Sequence, residues 1–129
     1  MDTSTILKDF VGLPQKIYNS ETRYFELETT KESLIRTLKE LKMNYMKQII
    51  LEVCENNQKK FKNETHRNSE LNARLKMDVI YLKLTTDITN VNNLLNDIKA
   101  TLNLLNNTRV VYDRILQFTS KSTITNDLR

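Results

Sequence analysis

The sequence is poor in the residues that make turns, disulfides and metal sites. One glycine and one proline among 129 residues leave almost no material for hairpins, bulges or tight turns, which argues against an all-β or α/β fold. There is no tryptophan, and 39% hydrophobic residues beside 28% charged residues suit an elongated helical bundle with a thin core. The length gives room for one domain. These totals predict a single all-α domain.

Cys54 and His66 are the only residues of their types, so the composition excludes an internal disulfide and a metal-ligand set. A lone cysteine fits a reducing compartment. No stretch approaches the roughly 20 apolar residues that span a bilayer, and no signal-peptide pattern begins the chain. The sequence has no glycine-rich phosphate loop and no nucleophile beside a base. We therefore expect a cytoplasmic protein, not an enzyme, with no membrane segment, catalytic residue, metal or cofactor.

The strongest pattern is a row of apolar positions at alternating steps of four and three in the C-terminal half. Eleven of its twelve positions are apolar or aromatic, and only Arg109 is not. A 3.5-residue repeat of this length is typical of a coiled-coil seam, so it predicts a long helix, 78–118, whose stripe needs a partner helix. The row consists of Met77, Tyr81, Leu84, Ile88, Val91, Leu95, Ile98, Leu102, Leu105, Arg109, Tyr112 and Leu116.

A second long helix is predicted over 14–61, where the same spacing recurs as far as Tyr45. Beyond Tyr45 the frame slips, which resembles a stutter, a point where a supercoil locally unwinds. The positions that carry the stripe after the slip are Met46, Ile49, Ile50 and Val53. This helix is the natural partner of the first.

Residues 3–12 are expected to form a separate short helix ahead of the long one. Gly12 stands where the residue just after a helix is commonly glycine, and Pro14 suits the first turn of the next helix. The predicted break therefore lies between these two residues.

Polar residues mark the remaining helix ends. Asn63 is a good N-cap, so a shorter helix is predicted over 64–76, and the chain is expected to turn near 57–63. Asp78 can cap the long helix that follows. Residues 119–129 are mostly serine, threonine, lysine and asparagine and are expected to form a flexible tail.

The order of these elements predicts the fold. A short turn between two long helices favours antiparallel neighbours. The predicted architecture is a long antiparallel helical hairpin, coiled-coil-like, with a short N-terminal helix. Because the C-terminal stripe is so regular, we also expect it to pair with a second chain, which makes the protein a homo-oligomer.

Positive charge is concentrated at the predicted turn. Between residues 59 and 76 six basic residues face two acidic ones, a net charge of +4 that equals that of the whole chain. Cationic groups beside an aromatic ring that can stack on a base are what single-stranded nucleic-acid binding needs. The alternative is that the lysines only keep a loop soluble. The candidate nucleic-acid-binding residues are Lys59, Lys60, Phe61, Lys62, Arg67, Arg74 and Lys76.

Two further features leave alternatives open. Arg109 either fixes the helix register by meeting a carboxylate or lies beyond the paired region in solvent. The aromatic residues near the open ends of the two arms either close a small apolar cluster or line a groove for a protein partner. These aromatic residues are Tyr18, Tyr24, Phe25, Tyr112 and Phe118.

The stretch FKNETHRNSELNARLKMDVIYLKL carries a distinctive pattern. It has an Asn-Glu pair and an arginine at a helix start, a Leu/Arg-Leu step, an aspartate, a tyrosine three residues later and a long Leu/Ile-rich helix. In this pattern the chain resembles small helical accessory proteins of phage and prophage recombination clusters, from Phe61 to Leu116. Its loop departs from theirs by lacking glycine and proline. The matching positions are Asn63, Glu64, Arg67, Leu71, Arg74, Leu75, Asp78 and Tyr81.

The resemblance implies a function. These accessory proteins are similar in plan to phage recombination mediators, helical oligomers that bind single-stranded DNA and help to load recombination proteins. This implies a non-enzymatic accessory of DNA recombination or replication that binds single-stranded DNA, a recombination protein or both. The alternative is a protein-binding inhibitor or adaptor, for example an anti-defence protein, that acts through its helical surface. A purely structural coiled-coil scaffold is a third interpretation.

Overall fold

The computed structural model describes residues 2–127, and the side chains of residues 2–121. It contains three α-helices: α1 (Thr3–Leu51), α2 (Glu64–Lys76) and α3 (Val79–Asp127). Within the described residues no strand is formed, and the one β-bridge joins Val53 to Lys59. The all-α prediction is confirmed, and the two long helices pack on each other.

Helix α1 is continuous, so the predicted short helix over 3–12 and the break before Pro14 are wrong. Asp2 provides the cap, because its Oδ1 accepts a hydrogen bond from the backbone N–H of Ser4 at 3.1 Å. Pro14 lies inside the helix and deprives it of one backbone hydrogen bond. Leu13 and Ile17 are one turn apart and almost fully buried, so the packing of this face holds the helix together across the proline.

The other long-helix boundaries also differ from the prediction. Helix α1 ends at Leu51 instead of residue 61, because the chain turns back on itself immediately afterwards. Helix α3 continues to Asp127, through most of the predicted tail over 119–129. The last two residues of that tail lie outside the described residues. The bounds of α2 coincide with those the sequence predicts.

The chain divides into two compact units. Unit 1 consists of Met1–Leu27 and Leu94–Arg129, and unit 2 of Glu28–Asn93. The core of unit 1 consists of a few buried side chains from α1 and α3. These are Ile6, Leu13, Ile17, Leu27 and Leu95.

The core of unit 2 draws on all three helices and on the loop before α2. Ile49 is its most completely enclosed side chain, at 0% exposure. Ile50 and Val53, which the sequence pattern places on the stripe, are exposed instead; Ile50 lies in the last turn of α1, and Val53 lies beyond its end at Leu51. The buried side chains of unit 2 are Ile49, Phe61, Leu75, Leu84 and Val91.

The predicted stripe of α3 is buried or half-buried at ten of its twelve positions. Met77 is 85% exposed, because it ends α2 and precedes the first turn of α3. Arg109 is exposed, as in the solvated alternative. Within unit 1 the aromatic residues do not form a closed apolar cluster, because Tyr18, Phe25 and Phe118 are each more than 60% exposed.

Within the part of the chain that the structure describes, no helix is both long enough and apolar enough to cross a membrane.

Candidate nucleic-acid interface

The loop after α1 is a tight hairpin. The backbone N–H of Cys54 donates to the carbonyl of Gln58 at 2.6 Å, and the N–H of Asn57 donates to the carbonyl of Cys54 at 2.9 Å. Asn57 has a φ of 61°, the left-handed conformation that asparagine tolerates better than most residues. The N–H of Lys60 then donates to the carbonyl of Glu52 at 3.1 Å, which closes the loop. Asn57 thus takes the left-handed position of the turn, which glycine occupies in many other turns.

Polar side chains fix both ends of α2. The Asn63 side chain accepts a hydrogen bond from the N–H of His66 at 2.7 Å, as its predicted role as N-cap requires. At the other end Asp78 begins α3, since its Oδ1 accepts from the N–H groups of Ile80 and Tyr81. The helices therefore break at Met77 and Asp78.

Arg74 is held by two carboxylates. Its guanidinium lies 2.6 Å from an oxygen of Glu52, at the end of α1, and 2.8 Å from an oxygen of Glu70, one turn earlier on α2. The hydrogen bond from Arg74 lowers the pKa of Glu52, and the two carboxylates together raise the pKa of Arg74. This predicted site residue therefore joins α2 to the end of α1, and its charge is more than balanced by its partners.

Phe61 is buried at 9% exposure and is not open to a nucleic-acid base. Its ring lies edge-on to that of His66, with 6.1 Å between the ring centroids. Two cations flank it: Lys60 Nζ at 5.4 Å and Arg74 Cζ at 5.9 Å from its centroid. Phe61 thus anchors the loop against α2, and stacking on a base would require the loop to leave that position.

The remaining predicted cations stay accessible. Lys59, Lys60, Lys62 and Lys76 are exposed and Arg67 is half-exposed. Among the described residues none of the five forms an ion pair, although Lys62 Nζ lies 3.4 Å from the side-chain oxygen of Gln58. We call these five residues the cation group.

The net charge of this region is smaller than the predicted turn suggested. The loop begins at residue 52, so Glu52 and Glu55 belong to it as well. From residue 52 to 76 there are six basic and four acidic residues, a net charge of +2. Because Glu52 and Glu70 engage Arg74, the cation group faces only Glu55 and Glu64 as unpaired acids of this segment.

Sequence reasoning missed two residues that position this region. Glu52 lies 22 residues from Arg74, and Tyr45 lies 33 residues from Asp78, to whose Oδ2 its hydroxyl donates. This hydrogen bond lowers the pKa of Asp78 and raises that of Tyr45. No local pattern marks either pair, because each joins separate elements.

These shifts predict an acid-sensitive unit 2. A carboxylate whose pKa is lowered by folding stabilises the native state above its unfolded pKa, and that stabilisation disappears as the pH falls through the folded value. Glu52 and Asp78 should therefore lose their contribution as the pH falls below about 4, the ordinary carboxyl range. Urea unfolding at a series of pH values measures the effect.

Glu52→Gln should flatten this acid limb, because the variant has no carboxylate to titrate. Glu55→Gln is the matched control, since Glu55 is exposed in the same loop and forms no ion pair within the described residues. An acid limb that is the same in wild type and in Glu52→Gln would contradict the prediction for Glu52.

The described residues contain no cluster of three or more histidine, cysteine, aspartate or glutamate side chains that could hold an ion. Cys54 is a free thiol, exposed in the hairpin.

Comparison of the chain with family models, with curated proteins and with solved structures found no match.

Proposed function

We propose that the chain is a non-enzymatic accessory protein of phage-type DNA recombination or replication, acting in the host cytoplasm by binding single-stranded DNA. The cation group carries this proposal: within the described residues none of its five members forms an ion pair, and all of them belong to one loop and the short helix after it. Unpaired cations gathered in this way attract a phosphate backbone.

The contact is made to phosphates and not to bases. Phe61 is buried and Arg74 is engaged by two carboxylates, so neither offers a stacking surface. Binding through contacts between these cations and phosphates alone is insensitive to base sequence and strongly sensitive to salt. If all five cations contact phosphates, the logarithm of the binding constant should fall with the logarithm of salt concentration with a slope of about −3.5.

The proposal includes a framework for this site. In unit 2 the end of α1 is tied to α2 and to the start of α3, which supports an antiparallel course of α1 and α3. In unit 1 the segment Met1–Leu27 of α1 clusters with the later segment Leu94–Arg129, which supports the same direction. We infer coiled-coil-like antiparallel pairing within each unit, and self-association of the chain, as its resemblance to helical oligomers implies.

Fluorescence anisotropy with a labelled single-stranded oligonucleotide at low salt tests the DNA contact. The triple variant Lys59→Glu, Lys60→Glu, Lys62→Glu should abolish binding, because it replaces three attractive charges with three repulsive ones. Wild-type affinity should be similar for oligonucleotides of different base composition and should fall steeply as salt is raised.

The matched control is the triple variant Lys39→Glu, Lys47→Glu, Lys99→Glu. These lysines are also exposed but lie on the long helices, and the change in net charge is the same. This control should retain most of the wild-type affinity. Wild-type protein that does not bind at low salt, or two triple variants that lose affinity equally, would remove the proposed site.

A second candidate function rests on exposed apolar side chains. In unit 2, large apolar side chains are exposed to solvent near the end of α1 and the start of α3, and exposed apolar side chains are a feature of protein-binding surfaces. Such a surface suits an inhibitor or adaptor that binds a nucleic-acid-processing enzyme. A chain without DNA affinity that copurifies with one such enzyme, and loses it on Val79→Glu, would favour this function. The exposed residues are Leu51, Val53, Met77, Val79, Ile80 and Leu82.

A further inference from the structure

Helix α3 carries a second row of residues with coiled-coil spacing, and this row faces solvent. It runs from Leu94 to Phe118 in alternating steps of three and four, and from Leu94 to Ile115 each position lies one residue before a position of the predicted α3 stripe. All of it belongs to unit 1. The row consists of Leu94, Asp97, Thr101, Leu104, Thr108, Val111, Ile115 and Phe118. We call it the outer stripe.

The outer stripe exposes a large apolar surface for a single helix face. Its five large apolar side chains are 38% to 74% exposed, Phe118 and Leu104 the most. At roughly 100 Å² each they present on the order of 500 Å², near the upper end of the largest patch on a typical monomer. With flanking residues this approaches the roughly 800 Å² that each partner buries in a standard interface.

The spacing defines the shape of the partner. The outer stripe covers 25 residues, or about 36 Å of helix. Only another helix of similar length, with the same 3.5-residue repeat, can cover it along its whole course. The same helix in a second copy of the chain meets both requirements.

We propose that the outer stripes of two copies pack on each other antiparallel about a two-fold axis. In the register that uses the whole stripe, Leu94 lies opposite the partner's Phe118 and Leu104 opposite the partner's Thr108. Thr101 lies opposite the partner's Val111. Each threonine thus meets a larger apolar residue, and Asp97 lies opposite the partner's Ile115, so at these positions a smaller side chain faces a larger one.

Charge selects the antiparallel direction. Asp97 and Arg114 are both exposed, and within the described residues neither forms an ion pair. In the antiparallel register Asp97 lies beside the partner's Arg114, and the two-fold axis gives this pair twice. A parallel arrangement would instead place Asp97 beside the partner's Asp97, and like charges at a seam are unfavourable.

Another exposed row, on α1, is less suited to this role. It contains Leu7, Val11, Tyr18 and Phe25, all at least half-exposed. Glu21 interrupts it, and Pro14 lies within it and lacks the side-chain length to fill a seam. This row on α1 is the alternative dimer interface that the experiments below compare with the outer stripe.

Sedimentation equilibrium of the full chain without nucleic acid measures the dimer. Val111→Glu should raise the dimer dissociation constant at least about 100-fold, because it places a charge in the seam. The matched control is Val110→Glu, since Val110 has similar exposure, 43% against 51%, but lies off the stripe. The control should stay within about threefold of wild type, and circular dichroism should show equal helicity in both variants.

A charge exchange tests the direction of pairing. Asp97→Arg alone and Arg114→Asp alone should each weaken the dimer about tenfold, and the double variant should restore it. A double variant no better than the single ones overturns the antiparallel register.

Two other results overturn the proposal as a whole. One is a wild-type chain that stays monomeric at 100 μM or above, and the other is a dimer broken by Val11→Glu but not by Val111→Glu. The inference deepens the self-association in the proposed function but does not need DNA. A dimer without DNA affinity would therefore contradict only the DNA contact, and a DNA-binding monomer only this interface.

Discussion

Phe61→Ala is expected to lower the free energy of unfolding by about 3–5 kcal/mol, the usual cost of truncating a buried phenylalanine. Phe61 is 9% exposed and lies between the loop and α2, with His66 edge-on to its ring. Removing the ring leaves a cavity there and takes away the surface on which Lys60 and Arg74 rest. The loop should therefore lose its fixed position together with the stability of unit 2.

Equilibrium unfolding in urea, followed by circular dichroism, measures this effect. Phe61→Leu should cost less than Phe61→Ala, because it keeps most of the buried volume. Tyr18→Ala is the control, since Tyr18 is an aromatic residue that is 63% exposed, and its loss should change stability by about 0.5 kcal/mol or less.

The same variant separates two roles for the ring. A Phe61→Ala protein that keeps its stability but loses DNA affinity would show that the ring stacks on bases and is not an anchor. The burial of Phe61 leads us to expect the opposite: a loss of stability first, and a loss of affinity only where the loop no longer holds its lysines in place.

Pro14→Ala is expected to raise the free energy of unfolding by about 2–3 kcal/mol. Proline inside a helix costs about 3 kcal/mol relative to alanine, because it removes a hydrogen bond and its ring presses on the preceding turn. Pro14 lies in the interior of α1 and is exposed, so alanine restores the hydrogen bond without leaving a cavity. The stiffness that proline gives the unfolded chain offsets part of the gain. Thermal or urea unfolding measures it.

Gly12→Ala provides a graded companion. A Cβ added at Gly12 would meet nothing within 4 Å, so the substitution should stabilise the helix by about 0.5–1 kcal/mol. The gain in stability from Pro14→Ala should therefore exceed the gain from Gly12→Ala. If neither variant is more stable than wild type, the helix is interrupted at this point, as the sequence pattern suggested, and α1 is not continuous.

Much of the helical organisation could be predicted because its signals are local. The four-three spacing on α3 identifies the positions that are buried, such as Leu84, Val91 and Leu95. Asn63 and Asp78 cap the helices that the sequence assigned to them, since a cap needs only the next three residues of the chain.

The errors arise where packing overrides such local signals. A glycine followed by a proline normally ends a helix, but the burial of Leu13 and Ile17 on either side of Pro14 outweighs that preference. At Leu51 the reverse occurs: the sequence lacks a breaker, and the turn depends on Asn57 adopting a positive φ.

The sequence predicts which residues belong to the candidate site but not the role of each one. Its seven residues do lie on one loop and one helix, but their roles divide according to contacts that spacing does not reveal. Arg74 is engaged because Glu52, in the loop just after α1, reaches it, and Phe61 is buried because α2 folds over the loop. Five of the seven, the cation group, keep the exposure that the prediction assumed.

The division into two units determines how much chain entropy is lost when the contacts within each unit form. In unit 2 the tying contacts join residues 22 and 33 positions apart, so little chain entropy is lost when they form. In unit 1 the two segments are separated by the whole of Glu28–Asn93, a far longer closure unless unit 2 is already in place. We therefore expect unit 2 to fold first, with its loop and α2 near the nucleus, and the distant ends of the chain to meet in a later step.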